Sequence, residues 1–460
     1  MQPAYDMKPI PVIAVFDVGK TNKKLFLFDE GYNIVFERTA RFNEIKDEDG
    51  FPCENIDSLK RSVYDSLNEI GKLKKFNLKA VNFSAYGASL VYLDENGDAI
   101  GPLYNYLKPY PGNLVKKFYA AYGGEAQFSF QTASPALGSL NSGLQLYRIK
   151  YQKPELFKRI KCALHLPQYL SYLVSGQKFS DLTSIGCHTA LWDFERNDYH
   201  QWVVQEGIIE KLAPMALSDS VVLSLLPGSN YKVGIGLHDS SAALIPYLVS
   251  FNEPFILLST GTWAISLNPF DQSPLTRNEL RHDCLKYIQY NGKAVKASRL
   301  FSGYEYDQQV KRIAAHFNQD IIKYRNVPFQ PNKMRKSEGQ KGEGQNFGGK
   351  SPKVFGEMNL SDFSDDIFAY HQLVLDIVQQ QKISTRYVLK DTPVKQIFVD
   401  GGFSKNAVFM NLLAAAFPKL KVYAASIPQA TALGTAFAIH SHWTTKSIPG
   451  NIIALKHYPA

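Results

Sequence analysis

The stretch FDVGKTNKKLFLFDE, residues 16–30, decides the fold. Its Gly19-Lys20-Thr21 matches the end of a P-loop, whose full motif needs a further glycine five positions before the Gly-Lys. Ala14 occupies that position, inside the apolar run 10–16. A P-loop also opens a helix, whereas residues 24–28 read as a second strand that ends at the turn Asp29-Glu30-Gly31. Both flanks exclude the P-loop and leave a strand, a glycine-and-threonine turn, and another strand.

Working outward, residues 12–16, 24–28 and 33–41 read as an antiparallel meander. Residues 59–75 follow with Leu59, Val63, Leu67 and Ile70 at helical spacing, then strands at 80–84 and 90–93 and a hairpin turn at 94–98. The second half repeats the plan. Strands at 254–258 and 262–267 flank the turn Ser259-Thr260-Gly261, and more strand is expected over 284–298, interrupted at 290–292. Residues 362–389 form a long helix candidate, followed by strand 395–400, helix 405–417, strand 421–425 and helix 429–439. A whole-domain duplication is therefore expected, with units at 8–245 and 246–460 and a cleft between them. Residues 104–229 are less regular and read as an insertion enlarging the first unit, and the polar stretch 333–353 reads as an exposed, mobile loop.

A chain of 460 residues exceeds one core, and 45% hydrophobic with 20% charged residues is ordinary for a globular protein. No apolar run approaches the ~18 residues of a membrane span, and the start MQPAYD lacks the basic and apolar regions of a secretory leader. Cys53, Cys162, Cys187 and Cys284 are scattered, without disulfide or zinc spacing, so a cytoplasmic location is expected. The formal charge of +9 is spread along the chain rather than gathered into a basic patch, so no nucleic-acid partner is expected. Oligomeric state is open, a homodimer being allowed.

Chemistry concentrates in turns. In Asp17-Val18-Gly19-Lys20-Thr21-Asn22 the glycine lets backbone N–H groups approach phosphate, Thr21 and Lys20 can donate, and Asp17 can hold magnesium through water. An ordinary hairpin is the alternative. Ser259-Thr260-Gly261-Thr262-Trp263 is its counterpart, so that two turns would grip a polyphosphate from both sides. Gly401-Gly402 after a strand, ahead of Asn406 and a helix, suits a base or sugar approaching the backbone, while Asp400 or Ser404 can equally cap that helix. Asp239, after His238 and before an apolar helix, is either an N-cap or a general base facing a substrate hydroxyl.

With these residues assembled, the chain resembles the FGGY carbohydrate kinases of the actin-like ATPase superfamily, from residue 12 to about 440. Asp17-x-Gly19 matches their first phosphate motif, Ser259-Thr260-Gly261-Thr262 the second, and Asp400-Gly401-Gly402 with Asn406 the adenosine motif. Gly236-Leu237-His238-Asp239 matches the segment of the catalytic aspartate. Gln429-Ala430-Thr431-Ala432-Leu433-Gly434 resembles the closing segment, and Ser180-Asp181-x-x-Ser184 the lid-proximal motif. His238 and Thr260-Gly261-Thr262-Trp263 lean towards rhamnulose and fuculose kinases, in which Ser84-Ala85-Tyr86-Gly87-Ala88 corresponds to a sugar-lining Trp-Gly segment. Lys20, Tyr86, Gln168 and Asn105-Tyr106-Leu107-Lys108 depart from the family pattern, mostly on the sugar side.

The resemblance implies an α/β fold of two RNase H-like domains, each a mixed sheet flanked by helices. It implies transfer of the γ-phosphate of ATP to a hydroxyl of a ketose such as L-rhamnulose, L-fuculose, xylulose or ribulose. Asp239 would be the catalytic base and Asp17 the residue for Mg2+. ATP would meet Gly19, Lys20, Thr21, Asn22, Thr260, Gly261, Thr262, Gly401, Gly402 and Asn406. The sugar would meet Ser84, Tyr86, Gly87, Ala88, His238 and Asp239. Lys20 either compensates phosphate charge or points to solvent. The alternative function is a non-catalytic ATP-binding sensor or regulator, consistent with the altered sugar-side residues.

Overall fold

A computed structural model describes residues 8–333 and 354–460. The polar stretch expected to be a loop at 333–353 lies, beyond Lys333, outside the described residues. Ile10–Val18 forms the spine of the first sheet. Val12, Ile13, Ala14 and Val15 are all fully buried, as a strand covered on both faces requires. It pairs antiparallel with Lys23–Asp29, which pairs antiparallel with Ile34–Ala40, while on its other side it runs parallel to Phe76–Ala85. The helix Ile56–Lys72 makes that crossover. Its N-cap Asn55 accepts from the Ser58 amide, and it buries Leu59, Val63, Leu67 and Ile70 as their spacing predicts.

The second sheet has the same order. Phe255–Thr260 pairs antiparallel with Ala264–Asn268, which pairs antiparallel with Ala294–Leu300. On its other side Phe255–Thr260 runs parallel to Gln396–Gly401, and that strand parallel to Lys421–Ser426. The interruption expected at 290–292 is the turn between Cys284–Ile288 and Ala294–Leu300. The long helix is Asp366–Leu389, capped by Asp365 on the Phe368 amide. Two antiparallel meanders, each continued by parallel strands, are the duplicated RNase H-like arrangement that the sequence implies.

Residue 245, the expected boundary, lies within the helix Asp239–Ser250, hereafter the junction helix. One expectation shifts: the segment 104–229 is not wholly an addition. The helix Leu166–Ser175 buries Leu166, Tyr169, Leu170 and Val174 in the same core as Val12 and Phe83, and Val221–Leu223 joins the first sheet through Lys232–Gly234. Helix periodicity over 168–175 is visible in the sequence, but the surface that receives it is built from residues far away along the chain.

The halves meet in one apolar cluster. Ile13, Val15 and Phe28 of the first sheet pack with Tyr247 of the junction helix, Phe398 of the second sheet, and Leu433 and Phe437 of the closing helix Ala430–Ala438. A side chain at Gly434 would place its Cβ 1.8 Å from the Ala242 carbonyl oxygen, so these two helices touch backbone to backbone. Asn82 Nδ2 donates to the Thr435 carbonyl at 2.8 Å, tying the closing helix to the first sheet as well. Gly434→Ala is expected to destabilise the protein by about 3 kcal/mol, because neither carbonyl nor helix axis can retreat cheaply. Thermal denaturation of that variant checks it, and an unchanged midpoint would contradict the crossing.

Candidate functional site

The sheet register assembles the centre. Asp17 pairs with Ser84, and Leu237 pairs with Ser84 from the other side, so Asp17 and the His238-Asp239 pair stand two strand spacings apart. That is about 10 Å between backbones, with side chains free to converge on one space. Ser84 Oγ donates to Asp17 Oδ1 at 3.2 Å. Burial, then the negative charge of Asp239, pushes the Asp17 carboxyl up to about 6, against the opposing Ser84 hydrogen bond and the Lys24 charge.

Asp239 opens the junction helix and caps nothing beyond its neighbour. Its Oδ1 accepts from the Ser240 amide at 2.6 Å and lies 3.2 Å from His238 Nε2. Among the described residues no contact falls on Oδ2, which leaves that oxygen for a substrate hydroxyl. Enclosure by the protein raises the Asp239 carboxyl to about 6. Burial also lowers the His238 imidazole to about 4, so at neutral pH the ring is uncharged. The neutral ring stands beside the carboxylate, with Cys187 Sγ 4.0 Å from the same Nε2. The ring fits only because residue 87 is glycine, since a Cβ there would lie 2.7 Å from His238 Nε2. Ala88 takes a positive φ of 61° to turn the chain past it. Tyr86 is buried and its hydroxyl donates to Glu54 Oε2 at 3.3 Å.

The two threonine turns close alike: the Gly19 amide donates to the Asn22 carbonyl and the Gly261 amide to the Trp263 carbonyl, both at 2.9 Å. Thr21 and Thr262 are exposed at the tips. Three expected phosphate donors are engaged elsewhere. Thr260 is buried, its hydroxyl donating to the Asp400 carbonyl and accepting from the Phe403 amide, so it joins the second phosphate turn to the glycine turn. Asn22 Oδ1 accepts from Arg41 Nε at 2.8 Å. Lys20 Nζ lies 2.8 Å from Glu44 Oε1 and 5.9 Å from the centre of the Tyr86 ring, on the sugar side.

A cavity of about 510 Å³ opens beside Gly261, Thr262, Gly303, Gly402 and Asn406. Backbone crowds its floor: a Cβ at Gly401, whose φ is +86°, would lie 1.9 Å from the Thr260 carbonyl oxygen, and one at Gly303 1.8 Å from that of Gly261. Asn406 caps the helix Ala407–Ala416 through the Phe409 amide and donates to Tyr370 Oη at 2.8 Å. Tyr247 of the junction helix donates to Asp400 Oδ2 at 3.1 Å, linking the helix that begins with Asp239 to the strand beneath this cavity. The lining residues Gly303, Tyr306, Arg325 and Asn326 were not legible as site residues, since nothing local marks them.

These residues suit the groups the turns imply. The cavity and its side-chain-free glycines suit a flat nucleoside, with Gly261 and Thr262 of the second turn in its lining. Among the described residues no cluster of three or more His, Cys, Asp or Glu forms a metal cage. Asp17 alone, with phosphate oxygens and water, is the donor set that magnesium commonly takes in nucleotide sites. Ser180-Asp181 sits apart as a structural knot: Asp181 caps the Thr183 and Ser184 amides and accepts from Ser218, and Thr183 Oγ1 in turn accepts from the His238 amide at 3.0 Å.

Comparison with known proteins agrees with this geometry. The N-terminal domain of the FGGY family of carbohydrate kinases matches residues 12–244, and two C-terminal domain descriptions of that family match 252–327 and 365–440. Rhamnulokinase of Mannheimia succiniciproducens is 23% identical over 274 residues, 55% of this chain and 52% of that one. Rhamnulokinase of Halalkalibacterium halodurans is 23% identical over 262 residues, 54% of each. The chain thus spans about half the length of the curated relatives it matches. In structure, a carbohydrate kinase from Novosphingobium aromaticivorans superposes with a TM-score of 0.76 at 21% identity, over 98% of this chain and 95% of that one. Xylulose kinase from Lactobacillus acidophilus superposes at 0.75 and 16% identity, over 98% and 94%. The domain matches cover both halves of the molecule: the chain belongs to the FGGY family of carbohydrate kinases.

Proposed function

We propose that the protein transfers the γ-phosphoryl group of ATP to a hydroxyl of a ketose, with rhamnulose-type sugars the first candidates. The observation that carries this reading is Asp239, with one carboxylate oxygen accepting from the Ser240 amide and the other without a described hydrogen bond, two strand spacings from Asp17. Family membership and the matched rhamnulokinases support the kinase class and the choice of sugar.

Asp239 Oδ2 would accept the proton of the sugar hydroxyl as its oxygen attacks phosphorus, in line with the departing ADP. His238, neutral and with Nε2 3.2 Å from Oδ1, packs beside the carboxylate and adds no charge of its own. Thr21 and Thr262, exposed at the turn tips, would donate to the oxygens of the transferred group. Asp17 is the residue placed to hold magnesium, which when bound neutralises charge on the β- and γ-phosphates. Gly402 and Asn406 would receive the nucleoside. Ser84, Tyr86, Gly87 and Ala88 form the sugar wall, Gly87 by making room for His238. The enzyme is expected to act on a small sugar and ATP in the cytoplasm.

Asp239→Asn is expected to lower kcat by about 10³-fold or more while ATP binding, measured calorimetrically, is retained. Near-full activity in that variant would sink the assignment. The pH dependence has a defined sign. A base near 6 is lost as pH falls, so kcat/KM for the sugar should decline below about pH 6 in the wild type. The same raised carboxyl binds its proton more tightly folded than unfolded, so its ionisation costs stability above pH 6 and the cost fades towards pH 4. Asp239→Asn should therefore melt higher than the wild type by about 1–3 °C at pH 8 and lose that advantage near pH 4. Gly401→Ala should raise the KM for ATP at least about tenfold, because neither its φ nor the Thr260 carbonyl accommodates a methyl group.

A further inference from the structure

Residues 42–54 fold as an acidic hairpin beside the sugar wall, Ile45–Lys46 pairing with Pro52–Cys53. Its turn and its last residue are each anchored by a buried ion pair, Asp47 with Lys108 and Glu54 with Lys23. Lys108 reaches Asp47 and, at 2.6 Å, Asp49. Glu54 lies 2.8 Å from Lys23, and both side chains are almost fully buried. Lys108 is thus engaged by the hairpin.

Glu44 is different. It is 44% exposed and its one ion pair is with Lys20, itself 24% exposed. An exposed pair of this kind contributes only about 0–1 kcal/mol to stability, so folding does not account for it. Its place does suggest a use. The turn bearing Lys20 is braced through its carbonyl, which accepts from Lys23 Nζ at 2.9 Å. The Lys20 ammonium lies over Tyr86, whose ring is 6.0 Å from that of Tyr106, and the Tyr106 phenol feels both the Lys20 and the Asp239 charge. Lys20, Tyr86, Tyr106 and Asp239 therefore border one space, and the ammonium is matched by a carboxylate rather than left free for phosphate.

We propose that the Lys20–Glu44 pair is the specificity-determining contact of the acceptor site, reading two neighbouring hydroxyls of a neutral sugar. The ammonium donates to one hydroxyl and the carboxylate accepts from the next, while the carboxylate repels an acceptor carrying its own negative charge. The inference rests on the kinase reading above and names what that site selects. It moves Lys20 from the nucleotide, where the sequence motif suggested it, to the sugar.

The test is steady-state kinetics with a ketose and with the aldonate of the same carbon chain, on the wild type, Lys20→Met, Glu44→Gln and the double variant. Lys20→Met should raise the KM for the ketose about tenfold or more and leave that for ATP within about twofold. Glu44→Gln should lower kcat/KM for the ketose and raise it about tenfold for the aldonate, because the released ammonium then meets a carboxylate. The double variant should lose the gain. A rise in the KM for ATP alone in Lys20→Met overturns the proposal, as does an unchanged ketose-to-aldonate ratio in Glu44→Gln. Should Glu44→Gln fold poorly, the Lys20→Met comparison of the two KM values decides alone. A wild type that phosphorylates no sugar contradicts the kinase reading itself, whereas an active wild type with unaltered variant ratios contradicts only the role of the pair.

Discussion

The backbone contact between Gly434 and Ala242 is the constraint on which the rest of the structure depends. Two helices cross so closely that a single methyl group would sit 1.8 Å from a carbonyl oxygen. One belongs to the junction between halves and the other comes from the end of the chain. Their crossing joins the two sheets through one apolar cluster and sets where the junction helix begins. Asp239 stands at that beginning, and Tyr247 of the same helix bonds to Asp400, next to the Gly401-Gly402 turn beside the cavity. One helix thus ties the proposed base to the strand that leads to the proposed nucleotide site, as a reaction that depends on positioning requires.

The electrostatics follow from that placement. Asp17 and Asp239 are both enclosed, and Asp17 also feels the charge of Asp239, so both carboxyls rise to about 6. Two carboxylates raised by burial, one of them also by its neighbour's charge, are a cost in the ligand-free protein. A cation beside Asp17 and a hydroxyl proton beside Asp239 would each relieve part of it. The neutral His238 fits the same logic, since a charged imidazole would form an ion pair with Asp239 and weaken it as a base.

Much of this is legible in the sequence because it is local. The strand–turn–strand around Asp17, its counterpart around Gly261 and the buried strands are written in short apolar runs broken by glycine, and the elements stand where those runs place them. Asp239 is also local, a carboxylate after His238 at the head of an apolar helix. What escaped is what depends on distant partners. The Thr260 hydroxyl reads as a phosphate donor until Asp400 and Phe403 are seen to occupy it. Lys20 reads as a phosphate lysine until Glu44, 24 residues on, is found to hold it. Gly303 lines the cavity beside Gly402, yet neither its spacing nor its neighbours announce it. The packing of the junction helix against both sheets escaped for the same reason: composition marks where a helix lies, not which sheets it joins.

The account stands or falls on whether ADP release from magnesium-ATP depends on a sugar. A coupled assay of the purified protein against a panel of ketoses measures this directly. The account predicts negligible ADP release without acceptor and rapid, saturable release with at least one ketose, accompanied by an equimolar sugar phosphate. ADP release that is absent with every ketose, or equal with and without them, would contradict it.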